Sequence, residues 1–193
     1  MIDKSTMETL FTKARSHNGW LDKDISEEQI HQIYDLMKFG PTAANTCPAR
    51  ITFVRSDEAK AKLSPHLDEA NVEKAMSAPA VAIIGYDTEF YEKLDYLFPH
   101  TDAKSWYQGK PEKITEVGLM NATLQGAYFM LAARAVGLDC GPMGGFNART
   151  LDVAFFPDGK TKSIFICGIG YGDSTKIFPR SPRLSFDESC EIL

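Results

Sequence analysis

The chain reads as one domain, residues 1–193, with helices packed around a modest sheet. Three observations point there. A helical period runs through Val117–Val136, where Met120, Leu124, Ala127, Tyr128, Leu131, Ala132 and Ala135 return to one stripe. Two runs, Ala80–Tyr86 and Ser163–Gly168, have the near-continuous apolar character of strands covered on both faces. No internal repeat, low-complexity tract or linker interrupts the 193 residues, a length that supports one substantial core.

Residues 8–17 read as a first helix, with Leu10, Phe11 and Ala14 on one side. It runs into Arg15-Ser16-His17-Asn18-Gly19-Trp20. Arginine, hydroxyl and amide side chains crowded at a helix end can hold a phosphate or a polar ring edge; such residues also decorate ordinary loops. Ser26 and Gln29 form a capping box for a second helix, whose Ile30, Ile33, Tyr34 and Met37 share a face until Gly40-Pro41 stops it. Pro41–Pro48 is a loop of small and hydrogen-bonding residues ahead of the strand Ile51–Val54. Composition alone makes it a proline-bracketed turn, in which Asn45 can both donate and accept. A helix follows over Ser56–Leu67, then a short helix headed by Asn71-Val72-Glu73-Lys74.

The segment Thr88–Lys113 is irregular and aromatic, and reads as helical turns forming a lid or outer wall; His100 within it reads as a surface residue. The far side of the central helix carries Leu119, Ala122, Phe129, Met130 and Ala133. A helix apolar nearly all round needs cover on both sides, and a second subunit is a candidate for one of them. Asn121 and Gln125, one turn apart, read as buried amides with satisfied hydrogen bonds. The helix ends at Gly137 and leads into a glycine-rich loop, Gly141–Gly145. A short helix at Leu151–Phe155, a turn at Pro157-Asp158-Gly159 and a basic proline-rich tail, Lys176–Arg183, complete the order.

Composition narrows the function. A net charge of -5 argues against nonspecific nucleic-acid binding, although a few local arginines can still hold an anionic ligand. No run is long enough to span a bilayer, and Met1–Ser16 carries no apolar signal region, so a cytoplasmic protein is expected. Cys47, Cys140, Cys167 and Cys190 form no C-x-x-C pair and no metal spacing. Cys140 and Cys167 read as small core residues. Cys47 lies in a loop with no neighbouring histidine to activate it, and reads as an inert thiol. No P-loop or nucleophile elbow appears.

Several segments together carry a resemblance. They are an arginine-bearing N-terminal turn, a P-T-A-x-N-x-x-P loop after the second helix, N-x-x-K before a core strand, a long apolar helix leading into G-P-M-x-G-F, and a basic proline-rich tail. In that order they resemble the FMN-dependent nitroreductase superfamily across nearly the whole chain. A-R-S-H-N-G-W, L-F-P-H-x-D-A-x-S-W, G-L-D-C-G-P-M-G-G-F and I-G-Y-G-D-S-x-K look like its malonic semialdehyde reductase branch and haloacid-associated relatives. The resemblance implies an α+β sandwich, a mixed, mainly antiparallel sheet flanked by helices, in an intertwined homodimer with two FMN sites at the interface. It implies an NAD(P)H oxidoreductase that reduces malonic semialdehyde to 3-hydroxypropionate, or alternatively a nitroaromatic or quinone, by ping-pong hydride transfer through flavin N5. A flavin-binding protein without catalysis is the reading from another class.

By the same resemblance, Arg15, with Ser16 or His17, matches a phosphate-binding turn that extends to Asn18, and Arg180 and Arg183 match a C-terminal basic pair. Planar guanidinium groups hold a phosphate dianion bidentately. Pro41, Thr42, Ala43 and Asn45 match a loop contributed by the partner subunit. Asn71 and Lys74 match an amide and a lysine at the pyrimidine edge of the ring, where the lysine offsets negative charge gained on reduction. Pro142, Met143, Gly144 and Gly145 match the loop passing N5. No residue is expected to be a catalytic acid or base, and no metal is implied. The chain departs from the pattern at Asn18 or Gly19, where a second basic residue is usual. It departs again at Cys47 (often Gln) and Gly144 (often Glu). Loss of that acid implies a pocket suited to an acceptor with its own carboxylate.

Overall fold

The protein is described by a computed structural model covering residues 2–193. Eight α-helices and four strands alternate along it: α1 (Lys4–Met7), α2 (Glu27–Met37), β1 (Ala49–Val54), α3 (Asp57–Leu63), α4 (Glu69–Met76), β2 (Ala80–Asp87), α5 (Leu94–Leu97), α6 (Pro111–Ala135), β3 (Asp139–Met143), α7 (Ala148–Phe155), β4 (Thr161–Gly170) and α8 (Phe186–Ser189). The strands form one sheet in the order β1-β2-β4-β3. All three pairings are antiparallel; the parallel pairing among the described residues is an isolated bridge from Ser16 to Cys140.

The pleat of β2 explains why helices cover both faces. Ala80, Ala82 and Ile84 enter one core with Ile33, Met37, Phe129 and Ala133 of α2 and α6. Val81 and Ile83 point the other way, into a second core with Leu63, Ala75 and Leu151 of α3, α4 and α7. Successive side chains of a strand face opposite sides, so an all-apolar strand requires two covers. The aromatic segment builds a third, smaller core in which Phe90 meets Tyr107 edge to face at 5.0 Å. Much of its aromatic surface is thus spent on internal packing, while Tyr96 remains exposed.

Four differences from the sequence reading have a clear physical reason. The helix expected over 8–17 is instead α1, capped by the Asp3 carboxylate on Thr6 N at 3.0 Å, followed by one wide turn over Glu8–Thr12. Beyond it the chain peels away to pair with β3, His17 N donating to Cys140 O at 2.9 Å. Tertiary pairing here overrides helical spacing. The glycine-rich loop expected over 141–145 shrinks to Gly144-Gly145, because Gly141, Pro142 and Met143 finish β3. β3 is an edge strand of the sheet, the one place where a proline is tolerated in a ladder. The central helix starts at Pro111 rather than Val117, with the proline in its first turn, where a missing N–H costs nothing.

The fourth difference concerns which face of α6 is covered. Gly118, Asn121, Ala122, Gln125, Gly126, Phe129, Ala132 and Ala133 are buried. Gly118 lies against the Tyr86 ring and Gly126 against the Phe165 ring, each so close that a Cβ would stand 2.5–2.6 Å from them. Small residues let the helix approach the sheet, so the glycine-bearing face goes inward. Met120, Leu124 and Tyr128 of the expected stripe are 51%, 48% and 39% exposed, with Leu119 beside them. Apart from Gly40, which packs on the Tyr128 ring, the described residues leave this face largely uncovered. As expected, Asn121 and Gln125 are satisfied: Asn121 Oδ1 accepts from Ala43 N at 2.7 Å and Gln125 Oε1 from Ala49 N at 2.9 Å.

Candidate functional site

Both ends of the chain meet at one cavity. The Arg15 guanidinium donates to Phe178 O, and Arg180 Nη2 donates to Thr12 O and Ala14 O, each at 2.9 Å. These bonds lay the C-terminal tail along the N-terminal turn. Arg15, Ser16, Asn18, Arg180 and Arg183 then line a cavity of about 490 Å³. A fourth arginine joins them that the sequence reading missed. Arg134, in the last turn of α6, donates from Nη1 to Leu10 O at 3.0 Å, while its buried Nε has no partner. Among the described residues the ion-paired arginines are Arg50 and Arg55, so the four here have no carboxylate at ion-pair distance, although Asp139 lies near enough to Arg134 to feel its charge. An unpartnered buried N–H and four unpaired guanidinium groups are the chemistry a phosphate dianion satisfies.

The other wall of the turn faces β3 and α4. Lys74 Nζ donates to Pro142 O at 3.3 Å, and Asn71 Nδ2 to Gly145 O at 2.9 Å. A Cβ on Gly141 would stand 2.5 Å from His17 O and 2.8 Å from Lys74 Cε, so only glycine permits this convergence. Trp20 Nε1 donates to Lys74 O at 3.0 Å and fixes the last turn of α4. Partial burial pushes the Lys74 ammonium below its ordinary pKa, because it is held out of water. Asn71, Lys74, Pro142 and Gly145 thus meet at one corner, which the turn carrying Arg15, Ser16 and His17 adjoins where Gly141 packs on His17 O.

His17 belongs to the region's frame rather than its lining. Its ring is buried, with Nε2 3.4 Å from Asp139 Oδ1, and it packs on Gly172 so closely that a Cβ there would lie 2.1 Å from Nδ1. The hydrogen bond from His17, reinforced by Gly172 N at 3.0 Å, holds the Asp139 carboxyl below the ordinary carboxylate pKa. A depressed carboxylate contributes stability that is present above its unfolded value and lost as pH falls through the folded one. Replacing Asp139 by Asn is therefore expected to flatten the acid limb of Tm against pH. An unchanged limb would show that the pair contributes nothing.

Pro41, Thr42, Ala43 and Asn45 lie elsewhere. Their loop is pinned to the middle of α6 through Asn121 and to the aromatic segment through Asn45 Nδ2 on Leu97 O at 2.9 Å. It feeds β1, at the opposite edge of the sheet from β3. One chain therefore does not bring this loop to Lys74. Ala44, Asn45 and Cys47 hold positive φ values of 48°, 50° and 41°, left-handed backbone that non-glycine residues adopt at a cost. The Cys47 thiol donates to Asn45 Oδ1 at 3.2 Å inside the same turn. Replacing Asn121 by Ala leaves Ala43 N unpaired, with an expected loss of about 1–3 kcal/mol. Urea unfolding and amide exchange at Ala43 test this; unchanged protection of that amide would refute the anchoring role.

Fold and site together define a sheet sandwiched by helices, with an arginine-lined cavity at one end of the N-terminal turn and a lysine and an amide of α4 packed on β3 beside that turn. The Nitroreductase family model matches residues 12–171. The chain belongs to the nitroreductase family. It is 56% identical to the "Putative NADH dehydrogenase/NAD(P)H nitroreductase HadB" of Ralstonia pickettii, over 97% of each chain. A relative in Ralstonia nicotianae, also described as a "Putative NADH dehydrogenase/NAD(P)H nitroreductase", is 52% identical, over 100% of this chain and 98% of that one. Among solved structures, a nitroreductase-fold protein of Exiguobacterium sibiricum, crystallised in complex with FMN, superposes with a TM-score of 0.86 at 21% identity. That match covers 100% of this chain and 99% of the other. An NAD(P)H:FMN oxidoreductase-like protein of Staphylococcus epidermidis gives 0.87 at 23%, over 100% and 98%. Among the described residues no helix is long and apolar enough to cross a membrane, and no group of three or more potential ligands could hold a metal ion.

Proposed function

We propose that the chain is an FMN-dependent NAD(P)H oxidoreductase that works as a homodimer. The observation that carries the reading is the cavity of four arginines without ion pairs, joined by one turn to Lys74 and Asn71. Arg15, Arg180 and Arg183, with Arg134, would hold the phosphate. Asn71 would orient the ring by hydrogen bonding, and Lys74 would set a positive charge where the ring gains negative charge on reduction. FMN held there would supply N5 as the atom that takes hydride from NADH or NADPH and delivers it to a small acceptor, a ping-pong chemistry. The Gly144-Gly145 turn leaves that side open, with nothing within 4 Å of a Cβ placed on Gly144.

Two observations support the dimer. The Leu119-Met120-Leu124-Tyr128 face of α6 is exposed and apolar, a surface that association would bury. The Pro41–Asn45 loop lies at the sheet edge remote from Lys74, so it can complete a site only in a second copy of the chain. Sedimentation of the purified protein at its monomer mass would overturn this.

The names borne by the relatives, NADH dehydrogenase and NAD(P)H nitroreductase, favour a nitroaromatic acceptor over an aldehyde. The sequence motifs favour malonic semialdehyde, whose reduction also demands a proton that the flavin or a water would supply, since no residue is an obvious donor. The absorbance spectrum of the purified protein before and after anaerobic NADH or NADPH is the test. We expect a flavin spectrum that bleaches and is restored faster by a nitroaromatic than by a three-carbon aldehyde acid. Protein that stays colourless after incubation with FMN would overturn the cofactor. Flavin that neither nicotinamide bleaches would leave a binding protein without catalysis.

A further inference from the structure

A carboxylate from another element lies beside the Gly144-Gly145 turn, against Gly145. Asp68 heads α4, yet its carboxylate makes no capping bond to that helix. It turns toward the Gly144-Gly145 corner instead. A Cβ on Gly145 would stand 2.6 Å from Asp68 Oδ2 and 2.6 Å from Asn71 Nδ2, and the backbone closes the contact through Asp68 N on Gly145 O at 3.1 Å. Asp68 is exposed, and the space beyond Gly144 is open.

We propose that Asp68 is a specificity-determining residue that disfavours acceptors bearing a carboxylate at the open side of the Gly144-Gly145 turn. The inference rests on the flavin placement proposed above. An ionised carboxylate facing a shared opening repels a second one. At the separations such a cleft allows, in a partly aqueous setting, the effect amounts to roughly three- to tenfold in rate. It also weakens with salt, since the group is exposed. Such repulsion runs opposite to the expectation drawn from Gly144 alone, a pocket suited to an acceptor carrying its own carboxylate, and the test below decides between them.

The test uses the holoprotein and its Asp68→Asn variant, which keeps a residue suited to the helix cap. Reoxidation of the NADH-reduced protein is followed by stopped flow with para-nitrobenzyl alcohol and with para-nitrobenzoate. The ratio of the anionic to the neutral rate constant is expected to rise about three- to tenfold in the variant, with the gap between the two proteins closing at high salt. An equilibrium readout accompanies it: benzoate, titrated against the oxidised protein through the flavin spectrum, should bind the variant more tightly by a similar factor. An unchanged ratio with flavin retained overturns the Asp68 assignment alone. Two colourless proteins overturn the flavin reading, and this inference with it.

Discussion

Replacing Arg15 by alanine is expected to weaken FMN binding by about 100- to 1,000-fold. A charge-assisted hydrogen bond contributes about 1.5–3 kcal/mol, and each 1.4 kcal/mol is a factor of ten. Arg15 also holds Phe178 O, so its loss loosens the tail segment that brings Arg180 and Arg183 to the cavity. Arg183 separates the two contributions. Its Nη1 donates only within the tail, to Ser181 O and Pro182 O at 3.0 Å each. Arg183→Ala should therefore cost about 10- to 100-fold without detaching anything. Fluorescence titration of the apoprotein with FMN reads both effects, with circular dichroism reporting the fold. Riboflavin, which lacks the phosphate, is the discriminating ligand: its affinity should change far less in either variant. Equal losses for FMN and riboflavin would place the phosphate elsewhere.

How far such a site can be read from sequence depends on whether its residues announce themselves locally. The capping box at Ser26 and Gln29, the doubly covered strand β2 and the apolar length of α6 are all short-range patterns, and each is present. The pairing of residues 16 and 17 with β3 is not local. It joins segments more than a hundred residues apart, so helical spacing alone extends the first helix into a stretch that the sheet edge claims. Arg134 escaped for a related reason. It is a single cation at the end of an apolar helix, and a cation there is already accounted for by the helix dipole. Only the fold brings it beside Arg15. Its one sequence signal was being the sole charged residue between Val117 and Val136. Asp68 escaped because it stands where a helix cap belongs, and a cap needs no other explanation. Which face of α6 is covered was likewise undecidable from apolar character, since both faces are apolar. The glycines at 118 and 126 decide it, by allowing the close approach to Tyr86 and Phe165.

Lys74 offers the second large effect, and one in which stability and activity move in opposite directions. Lys74→Met keeps most of the side-chain volume and removes the charge. Loss of a preorganised charge at a reacting centre slows turnover by about 100- to 1,000-fold, and the flavin midpoint potential should fall, because the reduced ring loses its countercharge. The apoprotein should become more stable, not less. Burial holds the Lys74 pKa below its ordinary 10.5, so between the lowered value and 10.5 the unfolded chain binds more protons than the folded one. Stability then rises with pH across that window, and the cost of burying the ammonium is present below it. Methionine removes both the cost and the rise. Urea unfolding from neutral to alkaline pH should show the wild-type curve climbing toward that of the variant, with the variant's flatter. The one bond lost, Lys74 Nζ on Pro142 O at 3.3 Å, is long for a charged donor and offsets little of this gain. A variant with the parental midpoint potential would show that Lys74 lies away from the ring. A variant less stable than the parent at neutral pH would show that the lysine is held for structure rather than for chemistry.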